Sequence, residues 1–242
     1  MRMPRRIPRA ELRHRAWGAA LAAGATVLVV GFVPPVGGGA VAKQPPTSID
    51  MTVPMDRQQE SNDCEAAALR MVLAFRGIQR SDKQLLSSIG VDLQHPHFGY
   101  SGKTSGDPYK AFVGNPNGSE TGGTGYGVFY PPVADAARAN GAKVLVAQEN
   151  YTPAQLYLSV RSGHPALVWI DYLWRALKST HYTAYDGRSI PYAGPAEHVI
   201  VLVGVTPTGV YVNDPARGYY WIAKTTFEKG YSTYRDMAVV IR

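Results

Sequence analysis

Apolar and polar positions divide the chain into three zones. Ala16 to Val33 is an uncharged, largely apolar run behind a basic block of Arg2, Arg5, Arg6, Arg9, Arg13 and Arg15. Residues 43–52 are polar, contain Pro45-Pro46 and read as a linker. The body, 53–242, then shows helical patterning first. Cys64 to Arg76 is rich in good helix formers (Ala66, Ala67, Ala68, Leu69, Met71, Leu73), with Asn62 or Asp63 as cap and Gly77 as stop. Ser81 and Gln84 have capping-box spacing for a helix over Ser81–Ser88 that ends at Gly90. Pro132–Asn140, closed by Gly141, and Ala154–Arg161, opened by Thr152-Pro153, predict two more.

The strand signals come mostly later. They cover Lys143–Gln148, Pro165–Asp171, His198–Val205, Val210–Asn213, Tyr219–Ala223 and Met237–Ile241. His198–Val205 is the most hydrophobic of these. Thr206-Pro207-Thr208-Gly209 predicts a hairpin from it to Val210–Asn213. Helices followed by an antiparallel sheet give the α+β order. Residues 91–130, rich in Gly, Asn, Pro and aromatics, predict no regular element. An irregular insertion that long in a compact domain is usually functional or mobile.

Charge changes the picture only at the front. The net +7 divides unevenly: six of 25 basic and one of 18 acidic residues fall in residues 1–42, leaving 19 against 17, or +2, for the rest. A nucleic-acid footprint is therefore not expected. The basic block, the apolar run and the small-x-small Ala40-Val41-Ala42 predict a secretory signal over 1–42, cut after Ala42, or else an uncleaved anchor. Positive residues ahead of the apolar run place the body outside the cytoplasm, secreted or held to the membrane only by that segment.

An exported chain normally keeps cysteines in pairs, and this one has a single cysteine, Cys64. Such a thiol is either a small core hydrophobe or a reactive group. Its place at a predicted helix start favours reactivity, because unpaired N–H groups there stabilise a thiolate and a developing oxyanion. Gln58, or failing it Gln59, can add a second oxyanion donor. Of six histidines, His198 stands on a rigid strand at the sheet rim, and the hairpin brings it to Asp214. A carboxylate on the ring N–H would fix its tautomer. Asn213 is the substitute orienter, but alternation sends it to the opposite face. There is no zinc-type Cys/His spacing and no phosphate-binding glycine loop, so no cofactor or metal is expected.

The blocks Asp63-Cys64-Glu65-Ala66-Ala67-Ala68-Leu69, His198-Val199-Ile200-Val201-Leu202-Val203-Gly204 and Val210-Tyr211-Val212-Asn213-Asp214-Pro215 resemble the bacteriocin-processing type of cysteine peptidase. Those enzymes cut double-glycine leader peptides, and the family has stand-alone exported relatives. Gly106-Asp107-Pro108 through Pro116, with Gly125-Tyr126-Gly127-Val128-Phe129-Tyr130, is similar to the stand-alone members. The resemblance spans 53–242. It implies a papain-like fold with the nucleophile helix packed on the sheet. It also implies a triad of Cys64, His198 and Asp214, with Gln58 as oxyanion donor and a peptide or protein as substrate. Where the family often has Gly beside the cysteine, Asp63 and Glu65 flank it here, and two carboxylates oppose thiolate formation unless they point away. Three readings follow: a cysteine peptidase working through a thioester, a non-catalytic peptide- or wall-binding module, and an amidase or acyl transferase on the same fold.

Overall fold

A computed structural model describes residues 46–242. The signal or anchor expected over 1–42 and the first three linker residues lie outside the described residues.

β1 (Ile49–Asp50) opens the described chain, followed by α1 (Cys64–Phe75), α2 (Asp82–Ile89), β2 (Val91–Asp92), β3 (Phe112–Val113) and α3 (Tyr130–Ala139). Then come β4 (Val144–Gln148), α4 (Pro153–Arg161), β5 (Ala166–Asp171), β6 (Thr180–Thr183), β7 (Ser189–Tyr192), β8 (Glu197–Val205) and β9 (Gly209–Asp214). β10 (Gly218–Ala223), α5 (Lys224–Thr233) and β11 (Ala238–Ile241) complete it. Six strands lie in the order β10-β9-β8-β5-β11-β4, with β1 added to β8, and every pairing in this sheet is antiparallel. The architecture is papain-like α+β.

The sheet is covered on both faces, which explains the unbroken apolar run of β8. Val199, Val201 and Val203 pack with Leu69, Met71 and Leu73 of α1, with α2 and α3 around them. Ile200 and Leu202 pack with Leu156 and Val160 of α4 and Phe227 and Tyr231 of α5. Doubly covered strands lose the polar half of their alternation. A register shift between Leu202 and Gly204 turns the strand, so that Val203 faces the first core and Val205 the second. α1 is buried along Cys64–Leu73, which explains why its sequence lacks a polar stripe.

Differences from the sequence reading have local causes. The Ser81 capping box forms as expected, and Thr152 caps α4 as expected, there completing a box with Gln155 as well. Within the expected linker, Ile49–Asp50 instead pairs with Val205 and Gly204, and Met51 N–H donates to Val203 O. Residues 91–130 are packed rather than structureless. β2 and β3 pair in parallel, and Phe98, Phe112, Tyr126, Val128 and Phe129 are buried in the first core. α5 and the β6–β7 hairpin arise where no element was expected. α5 contains Thr225, Thr226 and Gly230, poor helix formers, and is held by burial of Phe227 and Tyr231. Among the described residues no helix is long and apolar enough to cross a membrane.

Gly204 is where β1 crosses β8. A Cβ there would stand 2.7 Å from Ile49 O and 3.1 Å from the Asp50 Cα. Gly204→Ala should therefore cost about 1–3 kcal/mol, the usual penalty for overpacking. Urea unfolding checks this: the midpoint should fall while the slope stays unchanged.

Candidate active site

Cys64 is the first residue of α1, with Asp63 at the N-cap, and the thiol is buried at 6% exposure. Asp63 makes no side-chain cap to the helix. Its Oδ1 instead accepts from the Glu60 N–H at 3.2 Å, and its Oδ2 has no partner. Cys64 Sγ donates to Glu65 Oε2 at 3.4 Å, so Glu65 points toward the thiol rather than away from it. Glu65 Oε1 in turn accepts from the Val128 N–H at 2.5 Å.

The electrostatics oppose a thiolate in this state. Burial comes first, then Glu65 and Glu197, and together they push the Cys64 thiol well above its ordinary range; the Val199 N–H works the other way. A helix N-terminus offers up to about 2 kcal/mol to an anion. Full burial can move a titratable group by roughly 3–5 pKa units, so burial prevails. The carboxyls respond to the same desolvation. Burial, with Asp82 next to it, lifts Asp63 to about 8, and burial lifts Glu65 to about 7. Burial also drives Glu120 and Glu197 well upward, with Glu65 adding to both. Asp63 is thus largely protonated at neutral pH and adds little charge against the thiol.

His198 and Asp214 meet as the hairpin register requires. His198 Nε2 lies 2.8 Å from Asp214 Oδ1. Asp214 also accepts from the Ala216 N–H at 2.8 Å, the Arg217 N–H at 3.1 Å and the Tyr220 hydroxyl at 2.8 Å. Burial alone would raise Asp214, but the hydrogen bond and charge of His198, with those donors, bring it down to about 2. An ionised Asp214 accepts, so Nε2 carries a proton in either state of the ring, and in the neutral imidazole it is Nδ1 that presents the lone pair. Tyr172 packs edge-on against the imidazole at 5.0 Å, and the Arg217 guanidinium lies 3.7 Å over the Tyr172 ring. Asn213 faces the other way, donating to Val53 O at 3.0 Å.

The structure brings His198 to Asp214 and hydrogen-bonds neither to Cys64; the acceptor in place for the thiol is Glu65. Along β8, Val199 falls in the core with α1 and Ile200 in the core with α4 and α5. At the strand's end His198 turns to Asp214 and packs against Tyr172, which lines the same cleft as Glu197. Gln58 is anchored by its N–H to Pro215 O at 3.3 Å. Its Nε2 is engaged by Glu60 O at 3.1 Å and Ser61 O at 2.8 Å, and its buried Oε1 has no partner. Gln59 is exposed and lines a separate cleft with Arg70 and Ser81.

Glu197 was missed by sequence reasoning, whereas Glu120 and Tyr172 lie in the stretches 91–130 and 172–192, which the sequence offers as walls of a cleft without singling out either residue. Glu197 did carry a signal: a charge immediately ahead of the most apolar strand must be buried with it. For Glu120 the only signal was the irregular stretch that carries it; from there its Oε2 accepts from the Glu197 N–H at 3.1 Å. A cleft of about 360 Å³ opens here, lined by Asn62, Glu120, Tyr172, Leu173 and Glu197 among others.

A model of the Peptidase C39-like family matches residues 51–239. A protein of Bacillus subtilis (strain 168), described as uncharacterized protein YvpB, is 27% identical over 201 residues, covering 78% of this chain and 72% of the relative. The crystal structure of a putative C39-like peptidase from Bacillus anthracis superposes with a TM-score of 0.69 at 24% identity, covering 81% of this chain and 97% of that one. A double glycine motif protease from an AMS/PCAT transporter, solved with its leader peptide, superposes more loosely, with a TM-score of 0.45 at 20% identity over 83% of this chain and 97% of that one. With a family match running from β1's edge to the last strand, and with the fold in common, the chain belongs to the Peptidase C39-like family of cysteine peptidases and their relatives.

Proposed function

We propose that the protein is an exported cysteine peptidase that hydrolyses peptide bonds through Cys64, His198 and Asp214. The observation that carries this reading is the buried His198–Asp214 pair, set beside a strand whose next residue, Val199, lies against the Cys64 thiol. Export rests on the basic block, apolar run and Ala40-Val41-Ala42 of residues 1–42.

In this mechanism the Cys64 S–H passes its proton to His198 Nδ1, which the Nε2–Asp214 bond leaves free to accept. The thiolate attacks the peptide carbonyl, and its electrons pass to the carbonyl oxygen, stabilised by the N–H groups that open α1. The intermediate collapses to a thioester, and His198 protonates the departing amine. Water, deprotonated by the same imidazole, then releases the acid and restores the thiol. For Gln58 to join the oxyanion hole its Nε2 must leave Glu60 O and Ser61 O, so the 58–61 loop rearranges on substrate binding. Attack also requires the thiol to leave Glu65.

A second reading, a non-catalytic peptide- or wall-binding module, is favoured by that same Cys64–Glu65 bond and the surrounding burial. The discriminating experiment incubates the full chain with a mixed peptide pool in oxygen-labelled water and reads products by mass spectrometry. Cleavage with label in the new carboxylates is expected. Cys64→Ser and His198→Ala should each reduce it on the order of 10³-fold or more. Cleavage indifferent to Cys64→Ser would overturn the peptidase reading. Absence of cleavage, with Cys64 alkylating no faster than free cysteine and unchanged in His198→Ala, would establish the binding module instead.

The pair also has a stability signature. Asp214 binds fewer protons folded than unfolded, so its contribution is present above the ordinary carboxylate pKa of 3.8 and disappears as pH falls toward about 2. Asp214→Asn should lower stability by about 2 kcal/mol near pH 7, by linkage from that shift. The gap to the wild type should close as acid is added. Chemical denaturation of both proteins at several pH values measures it.

A further inference from the structure

We propose that Cys64, Glu65 and Glu197 form a binding site for a divalent transition-metal ion of the zinc type, and that the bound ion caps the thiol. Cys64 Sγ and one carboxylate oxygen each from Glu65 and Glu197 lie within 4.8 Å of one another, and all three residues are buried. The Sγ–Oε2 separation of 3.4 Å suits two ligands on one tetrahedral ion.

Independent support comes from Glu197. It is 5% exposed, and neither of its carboxylate oxygens has a hydrogen-bond partner within the protein. A buried carboxylate without partners is costly, and a cation is one of the few groups that satisfies both oxygens. The backbone makes room for the two acids to converge. A Cβ at position 127 would stand 2.6 Å from Glu65 Oε1 and 2.7 Å from Glu197 Oε2, so only Gly127 lets both carboxylates close over the same Cα. Outer contacts then hold the ligands. The Val128 N–H fixes Glu65 Oε1, leaving Oε2 toward the thiol, and Glu120 Oε2 accepts from the Glu197 N–H. The cleft lined by Asn62, Glu120 and Glu197 supplies the route from solvent.

The donor set selects the ion class. Thiolate excludes calcium and magnesium, which take hard oxygen ligands, whereas one sulfur and two carboxylates suit zinc, cobalt or a similar ion with one position left open. On binding, the S–H bond breaks and the protons still held by the Glu65 and Glu197 carboxyls leave with the thiol proton to water, while sulfur and carboxylate lone pairs are donated to the ion. No Cys/His spacing announces such a site, because its third ligand is contributed from a strand 132 residues later in the chain. Binding itself needs only the cluster. Its consequence, reversible masking of the nucleophile, rests on the peptidase reading.

Cobalt(II) is the direct probe, because the chain has a single cysteine. The metal-free full chain titrated with Co²⁺ should develop a sulfur-to-cobalt charge-transfer band that saturates at one equivalent, is bleached by Zn²⁺ and is absent in Cys64→Ser. Glu197→Gln, of nearly the same shape, should weaken binding at least tenfold, and Glu65→Gln provides the parallel test if circular dichroism shows that the first variant is unfolded. Zn²⁺ should protect Cys64 from iodoacetamide, with EDTA restoring the rate. A folded wild type that gives no band, or a folded Glu197→Gln and Glu65→Gln that bind as the wild type does, would overturn the proposal. Loss of the peptidase reading alone would leave the band untouched.

Discussion

Burial of β8 on both faces is the constraint from which the rest of the structure follows. A strand covered by α1 on one side and by α4 and α5 on the other has no solvent face, so each successive side chain must enter one core or the other. At its first two residues that rule acts on polar groups. Glu197 goes toward α1 and the thiol; His198 goes toward β9 and Asp214. One residue step along the strand thus separates an acid turned to the thiol from a base turned to Asp214.

The two sides have contrary electrostatics. Around Asp214, a histidine, two backbone N–H groups and a tyrosine hydroxyl surround one carboxylate and hold it ionised. Around Cys64, carboxyls outnumber donors. Glu65 has the Val128 N–H and the thiol itself, while Glu197 has nothing. Burial without partners favours neutral forms, and so the thiol and its acidic neighbours retain protons to a higher pH than they would in water. A substrate or ion entering this side changes that balance more than any internal contact does.

Much of the fold could be read from the chain because it depends on local signals. Ser81 with Gln84, Thr152 ahead of Pro153, and the Thr206–Gly209 turn form structure where the sequence says they should. The His198–Asp214 meeting could be read because it is a consequence of hairpin register. What stayed hidden depends on distant partners. The strand at Ile49–Asp50 exists because Gly204 leaves a gap for it, and α5 exists because Phe227 and Tyr231 have a sheet to cover. The direction of the Glu65 side chain is set by the Val128 N–H, 63 residues away in sequence, so composition alone could not say whether that acid faced the thiol.

The pairing of β1 with β8 has one more implication. Ile49 joins β8 at Val205, while His198 stands at the other end of the same strand, about 20 Å away by ordinary strand rise. The polypeptide therefore threads into the sheet at the pole remote from the cleft mouth. Changes at Ile49–Asp50 thus bear on the end of the sheet away from the cleft rather than on the residues that line it.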